Sequence, residues 1–271
     1  MNRVAAVQMV STADVDANMA CARERIAEAA GYGAQLVVLP EFFPLISQDG
    51  RAKLAIAEPA GDGPIQSFLS EAARRHGIWL VAGTIPLKGP DADHVYNSSL
   101  LFNTAGECTA RYDKIHLFDV YVDRERDEQY NESATMAPGS GVVVADTPFG
   151  KIGLSVCYDL RFPELYRKMS AQGAVIFTAP SAFTDRTGRA HWELLLRARA
   201  VENLCFVIAP GQGGQHNEKR LTWGHSMIVD PWGDILCALQ RGPGVACADL
   251  DLERQRALRA SFPALEHRRV D

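Results

Sequence analysis

The chain has 271 residues, 47% hydrophobic and 23% charged, with a formal net charge of −5. That balance is the average of a soluble globular protein, with enough chain to bury a core without staples. The acidic balance argues against nucleic acid as a partner, and the absence of long like-charge runs argues against a tail or a membrane-surface patch. A small-molecule or protein partner fits better.

Residues 1–8 read directly into a strand and lack the long apolar stretch of a signal peptide. No segment has the uninterrupted apolar length that spans a bilayer. The six cysteines are scattered, with no CxxC pair, which fits small buried hydrophobes in a reducing cytoplasm rather than a disulfide scaffold.

In chain order, residues 4–10 predict a strand. Residues 16–30 predict a helix with Met19, Arg23 and Ile26 at helical spacing and Asp14 or Asp16 as its cap. Residues 35–39 form a compact apolar strand that ends at Pro40-Glu41. Gly63-Pro64 opens a helix whose apolar face is Ile65, Phe68, Leu69 and Ala72, and Gly77 closes it. Strands are expected over 78–85, 96–103, 109–114, 142–146 and 151–157, the last two joined by the turn Thr147-Pro-Phe-Gly150. A helix over 163–172, a strand over 175–178, a helix over 191–202 and a strand over 205–210 follow. Strands over 227–230 and 235–239 flank Pro231-Trp-Gly-Asp234, residues 246–252 form the last strand, and the charged C-terminal stretch is peripheral. Two hairpin-bearing halves imply an α/β sandwich of two sheets covered by helices, in one domain over 1–271.

The most informative stretch is Lys151-Ile-Gly-Leu-Ser-Val-Cys157-Tyr158-Asp159-Leu-Arg161-Phe-Pro-Glu164. A strand running into Cys157, with Pro163 opening a helix soon after, can project a nucleophile into a cleft beside backbone donors. Taken alone, Cys157 also fits a buried structural cysteine. A thiol near its reference pKa is mostly protonated at neutral pH and needs a base, and no histidine stands in a cysteine-protease setting. Glu41, at the mouth of an apolar strand, is a candidate base, although alone it reads more simply as a strand-end charge. Lys114, between Arg111-Tyr-Asp113 and Ile115-His-Leu-Phe118, is a candidate oxyanion partner or a snorkelling strand-end lysine. Gly211-Gln-Gly-Gly214 is neither a P-loop nor a dinucleotide fingerprint, and no His/Cys/Asp cluster has zinc spacing, so neither cofactor nor metal is expected.

Together, Glu41 after a strand, Lys114 in Lys-Ile-His-Leu-Phe-Asp119, and Cys157 in Cys-Tyr-Asp-Leu-Arg-Phe-Pro-Glu164 resemble the nitrilase, or carbon–nitrogen hydrolase, superfamily. Pro180-Ser-Ala-Phe183, Thr187-Gly-Arg-Ala-His191-Trp-Glu193 and Gly224-His-Ser226 through Asp230-Pro-Trp-Gly233 are similar to its Nit branch. The resemblance implies a four-layer αββα sandwich that pairs as a homodimer or higher homo-oligomer, and amide hydrolysis through a thioester without metal or cofactor. It implies Cys157 as nucleophile, Glu41 as general acid–base, Lys114 and the Tyr158 backbone N–H at the oxyanion, and Glu132 of Asn131-Glu-Ser133 as a second glutamate. It also implies a substrate bearing a carboxylate, a 2-oxo-dicarboxylic monoamide, deaminated glutathione before 2-oxoglutaramate. An N-carbamoyl amide is a further alternative, and a non-catalytic interaction module on the same fold is the alternative of another class. Arg161 is the expected carboxylate partner, with a salt bridge to Glu164 or Asp159 as the alternative, and Phe183 and Thr184 are further expected substrate contacts. The charged stretch Asp123-Arg-Glu-Arg-Asp-Glu128 is not recognised as a fixed feature of that family.

Overall fold

The computed structural model describes residues 2–123 and 128–270, so the expectation for the charged stretch at 124–127 lies outside the described residues. The first half of the chain lays down β1 (Asn2–Gln8), β2 (Leu36–Val38), β3 (Trp79–Val81), β4 (Ile85–Lys88), β5 (Val95–Phe102) and β6 (Cys108–Asp113). A small hairpin, β7 (Asp119–Asp123) with β8 (Glu128–Asn131), stands apart from the two large sheets. The second half supplies β9 (Val144–Thr147), β10 (Gly150–Leu154), β11 (Ile176–Thr178), β12 (Phe206–Ala209), β13 (Met227–Val229) and β14 (Ile235–Ala238). The last strand, β15 (Gly244–Leu250), returns to pair antiparallel with β1.

Two mixed sheets result, one ordered β15-β1-β2-β3-β5-β4 with β6 also on β5, the other β14-β13-β12-β11-β10-β9. Each has a parallel centre, β1-β2-β3 and β10-β11-β12. Such strands are buried on both faces and therefore read as continuous apolar runs. The period of two along a strand decides which layer each side chain enters. In β1 and β2, Val4, Ala6, Leu36 and Val38 face the other sheet and pack with Leu154, Ile176 and Val207. Ala5, Val7, Val37 and Leu39 point the opposite way, into Ile26 of α1 (Val15–Gly31) and Leu69 of the helix at Pro64–His76. On the far side, Leu165 and Met169 of the helix at Pro163–Ala171 and Trp192 and Leu196 of the helix at Asp185–Asn203 cover the second sheet. The layers run helix, sheet, sheet, helix, as expected. With the short α2 at Ala52–Ala55, the three helices just described are α3, α4 and α5 in chain order.

Local signals hold where capping chemistry is explicit. Asp14 caps α1, accepting the N–H of Ala17 at 3.0 Å, and Pro64 and left-handed Gly77 bound α3. Several expectations change in detail. The buried stripe of α1 is Asn18, Ala22, Ile26 and Ala29, one step away from Met19 and Arg23. The strand expected over 78–85 is two strands, because Gly83 turns with φ +57° where a Cβ would lie 2.1 Å from the Pro40 carbonyl oxygen. The C-terminal stretch forms α6 (Leu252–Ser261), capped by Asp251 and anchored by buried Gln255. No described helix is long and apolar enough to cross a membrane.

Candidate active site

Glu41 follows the carboxyl end of β2 in a tight turn, and its side chain is sealed from solvent. The next residue, Phe42, has φ 56°, a conformation costing about 1–2 kcal/mol outside glycine, and its N–H is held by the Thr84 hydroxyl at 2.9 Å. Gln212, reaching from the loop after β12, donates to the Glu41 carbonyl at 3.1 Å and to the Ser11 hydroxyl at 2.8 Å. Both sheets therefore brace this turn. The Glu41 Oε1 accepts hydrogen bonds from Asn97 Nδ2 at 3.0 Å and from Lys114 Nζ at 2.9 Å.

Lys114 directly follows β6, and its backbone N–H donates to the Asn97 carbonyl at 3.0 Å. Its ammonium is fully buried and donates to Glu41 and to both Glu132 oxygens, at 3.0 and 2.9 Å. A buried ammonium costs several kcal/mol to desolvate, so it persists only with this density of charged partners. Burial opposes its charge, but Glu132, Glu41 and Cys157 outweigh burial and hold its pKa well above the ordinary lysine value. Glu132, in a single turn after β8, also accepts the Phe118 N–H at 2.8 Å. The Glu41 pKa is raised as well, but here burial is the leading cause: opposed by Lys114 and reinforced by Glu132, it lifts the carboxyl above the usual carboxylate range.

Cys157 begins a 3-10 turn, Cys157–Arg161, just beyond β10. Its φ is 49°, so the nucleophile candidate and the residue after the base candidate both carry left-handed backbone, the sort of strain that concentrates at functional sites. The Cys157 N–H is taken by the Pro180 carbonyl at 2.9 Å and that of Asp159 by Val156 at 3.0 Å. Among the described residues the N–H of Tyr158 makes no such backbone bond, as expected for a donor in the first turn of a helix. Burial pushes the Cys157 thiol well above its ordinary pKa and Glu41 raises it further, while Lys114 and the Ala182 N–H lower it. At rest the sulfur is therefore a neutral thiol in contact with a carboxyl group of raised proton affinity.

Glu41, Lys114, Glu132 and Cys157 come together, although they lie on four separate segments of chain. Arg161 stands at the rim, its guanidinium 5.4 Å from the Phe183 ring centre, 5.7 Å from that of Tyr158 and 3.3 Å from His191 Nδ1. It pairs with neither Glu164 nor Asp159, so the structural alternative for it is absent among the described residues. Phe183 packs edge-on to Trp192 at 5.0 Å and forms the wall beneath Arg161. Thr184 is buried, and its hydroxyl caps α5 by accepting the Thr187 N–H at 3.2 Å. That cap also explains why α5 begins at Asp185 rather than at 191.

Several site residues escape a reading of the sequence. Asn97 marks only a sequon there, because its partner lies 56 positions away. Asp159 is the hub of the cysteine turn, accepting from Tyr112 Oη, Val156 N and His116 N, and bonding His116 Nδ1. The Asp-x-Arg pattern beside Cys157 is its only local signal.

A model of the carbon–nitrogen hydrolase family matches residues 3–260. Human deaminated glutathione amidase is 43% identical over 271 residues, covering 99% of this chain and 82% of that protein. The crystal structure of the Caenorhabditis elegans NitFhit protein superposes with a TM-score of 0.92 at 40% identity, over 99% of this chain and 65% of that one. A variant amidase from Nesterenkonia sp. AN1, whose structure shows acrylamide added at the active-site cysteine, gives 0.78 at 28% identity over 97% of this chain and 98% of its own. With a family model spanning nearly its whole length, this chain belongs to the carbon–nitrogen hydrolases.

Proposed function

We propose that the protein hydrolyses the amide of deaminated glutathione, giving 2-oxoglutarate and cysteinylglycine, through a thioester on Cys157. The observation that carries this reading is the buried Lys114 ammonium bound to Glu41 and Glu132 within electrostatic reach of the Cys157 thiol. Glu41 takes the thiol proton as sulfur attacks the amide carbon, and the carbonyl π pair moves onto oxygen. Lys114 and the Tyr158 N–H stabilise that oxyanion, in a dry site where fixed donors are most effective. As the tetrahedral species collapses, the C–N bond breaks and Glu41 delivers its proton to the leaving nitrogen. Water then loses a proton to Glu41 and attacks the thioester, and the departing thiolate recovers that proton. Glu132 holds Lys114 in place throughout. Arg161, free of any carboxylate partner among the described residues, suits the carboxylate of the 2-oxo acyl group.

The relatives named deaminated glutathione amidase support this substrate. Pairing into a homodimer is supported by Leu194 and Val201, seven residues apart on the outer face of α5 and 67% and 47% exposed. Six unpaired cysteines suit the reducing cytoplasm.

Turnover of deaminated glutathione and of 2-oxoglutaramate by the purified protein tests the reading. A higher kcat/KM for deaminated glutathione is expected; a clear preference for 2-oxoglutaramate moves the assignment to ω-amidase. Cys157→Ala should abolish turnover in a folded protein, and residual activity near the native level would remove the nucleophile assignment.

A further inference from the structure

Beside the catalytic cluster, and lined in part by Phe42 and by Asn97, the partner of Glu41, lies a pocket that the chemistry at Cys157 does not use. Its walls are mostly apolar, with Ile56, Pro86, Tyr96 and Met136 among them, and one carboxylate, Asp49, also lines it. Two cations reach into it, Lys53 from α2 and Arg220 from the loop between β12 and β13. The only polar partner of the Lys53 ammonium among the described residues is the Thr135 hydroxyl, at 3.1 Å. The Arg220 guanidinium lies over the rings of Phe42 and Tyr130, at 5.6 and 5.7 Å. Its Nε is buried and has no hydrogen-bond partner among the described residues. Neither side chain forms an ion pair with a described residue. A buried donor without an acceptor is rare in folded proteins and costs about 1–3 kcal/mol, which makes its retention informative.

The loop that carries Arg220 is built to hold it. Buried His216 bonds the Ser11 carbonyl at 2.7 Å and the Thr222 hydroxyl at 2.6 Å, and its N–H donates to the Arg220 carbonyl at 2.9 Å. The pocket is also continuous in charge with the reacting centre, since Lys53 senses Glu132, Lys114 and Glu41 as well as Arg220. Arg161 does not line it. The cation at the rim and the two in this pocket thus serve different regions around one reacting carbonyl.

We propose that Lys53 and Arg220 form a second anion subsite, which binds the carboxylate at the far end of an amine leaving group of short-peptide size. This rests on the amide hydrolysis assigned above and deepens it: an amide carrying one carboxylate on its acyl part and another on its amine part is recognised at both ends. A planar guanidinium and a flexible ammonium together match a carboxylate in fork and point-charge contacts. The apolar walls accept the chain between amide and carboxylate, and the aromatic faces under Arg220 fix its plane. The subsite would separate substrates that release a carboxylate-bearing amine from those that release ammonia.

Two measurements test this separately from the reading of the reaction. In the first, kcat/KM is determined for deaminated glutathione and for 2-oxoglutaramate in the native protein, Lys53→Met and Arg220→Gln. The ratio of the two values should fall ~10–100-fold in each variant, mainly through KM, as expected for losing a hydrogen bond to a charged group. Arg220→Lys should recover part of it, which a merely structural role for the loop would not produce. A ratio unchanged in folded variants overturns the proposal. The second measurement is calorimetric titration of cysteinylglycine and its C-terminal amide into the native protein. Binding of the acid at least ~10-fold tighter than the amide, lost in both variants, supports the subsite even if the protein turned over neither amide. Equal binding of the two in the native protein overturns the subsite while leaving the catalytic assignment standing.

Discussion

The Tyr112 hydroxyl donates a 2.7 Å hydrogen bond to the Asp159 carboxylate, tying the strand that precedes Lys114 to the turn that carries Cys157. The two residues are 47 positions apart and both are fully buried. Burial and the neighbouring Asp159 charge raise the Tyr112 pKa, so the phenol stays a donor. His116 adds a second tie to the same carboxylate and stacks on Phe162 at 3.6 Å. The spacing between the ammonium and the sulfur is thus set by one buried acid, outside the reacting groups themselves.

Tyr112→Phe removes one acceptor contact of Asp159 while keeping the ring in place. The variant should lose about 1–3 kcal/mol in equilibrium urea unfolding, the cost of a weakened buried charge-assisted bond. Its kcat should fall more than its KM rises, because the reacting groups drift apart while the rim of the site is untouched. Unchanged stability and unchanged kcat would show that His116 and the backbone hold Asp159 unaided.

Gly83→Ala should damage the site from behind. The added methyl would sit 2.1 Å from the Pro40 carbonyl oxygen, in a backbone with φ +57°, so the turn carrying Glu41 must move. Gly61→Ala is the matched control, with φ +86° and nothing within 4 Å. The control should lose only ~1–2 kcal/mol from its backbone conformation and keep its kcat. Gly83→Ala should lose more in thermal unfolding and reduce kcat by ~10-fold or more, as misplacement of a catalytic group does. Equal behaviour of the two variants would disprove a backing role for Gly83.

The parts of the molecule legible in the sequence are those with a local physical signal. Apolar strands, the Asp14 and Pro64 helix starts, and the Thr147–Gly150 turn are written in neighbouring residues. Cys157, Glu41, Lys114 and Glu132 stand out in the sequence because each sits in a short motif similar to a known family, and the geometry joins Lys114 to both glutamates. What stayed hidden depends on contacts across the fold. The break of the 78–85 strand follows from a carbonyl 43 positions earlier, which no window around Gly83 contains. Arg220 lies in a polar loop that reads as solvent-exposed until His216 is seen buried beneath it. Thr184, expected as a substrate contact, is buried with its hydroxyl committed to the Thr187 N–H, a helix start that the apolar spacing beginning at His191 does not reveal.

His216 should make the fold acid-sensitive. Burial, opposed by its bond to Ser11 and reinforced by Arg220, depresses its pKa from 6.5 to about 4. Above pH 6.5 the imidazole is neutral in folded and unfolded chains alike, and its contribution is fully present. As pH falls from 6.5 toward 4 the unfolded chain binds a proton that the folded one refuses, so stability drops. The loss should reach on the order of 3 kcal/mol and then level off. Urea unfolding between pH 8 and pH 4 measures it, with His216→Gln as the comparison. If both proteins lose stability in parallel across that window, the acid sensitivity belongs to other groups.

Lys53 gives the second carboxylate subsite a pH limit of its own. Burial and the like charges of Arg220 and Lys114, against Glu132 and Glu41, lower its pKa from 10.5 to about 8. The ammonium is present below that pH and is lost as pH rises through it, so attraction for an anion weakens on the alkaline side. The kcat/KM for deaminated glutathione, divided by that for 2-oxoglutaramate, should hold steady to about pH 7 and then decline across pH 8, since both substrates share Cys157, Glu41 and Lys114. Lys53→Arg keeps a positive charge throughout this range and should flatten the ratio. A decline of equal depth in Lys53→Arg would assign the titration to the shared catalytic groups and remove Lys53 from leaving-group recognition.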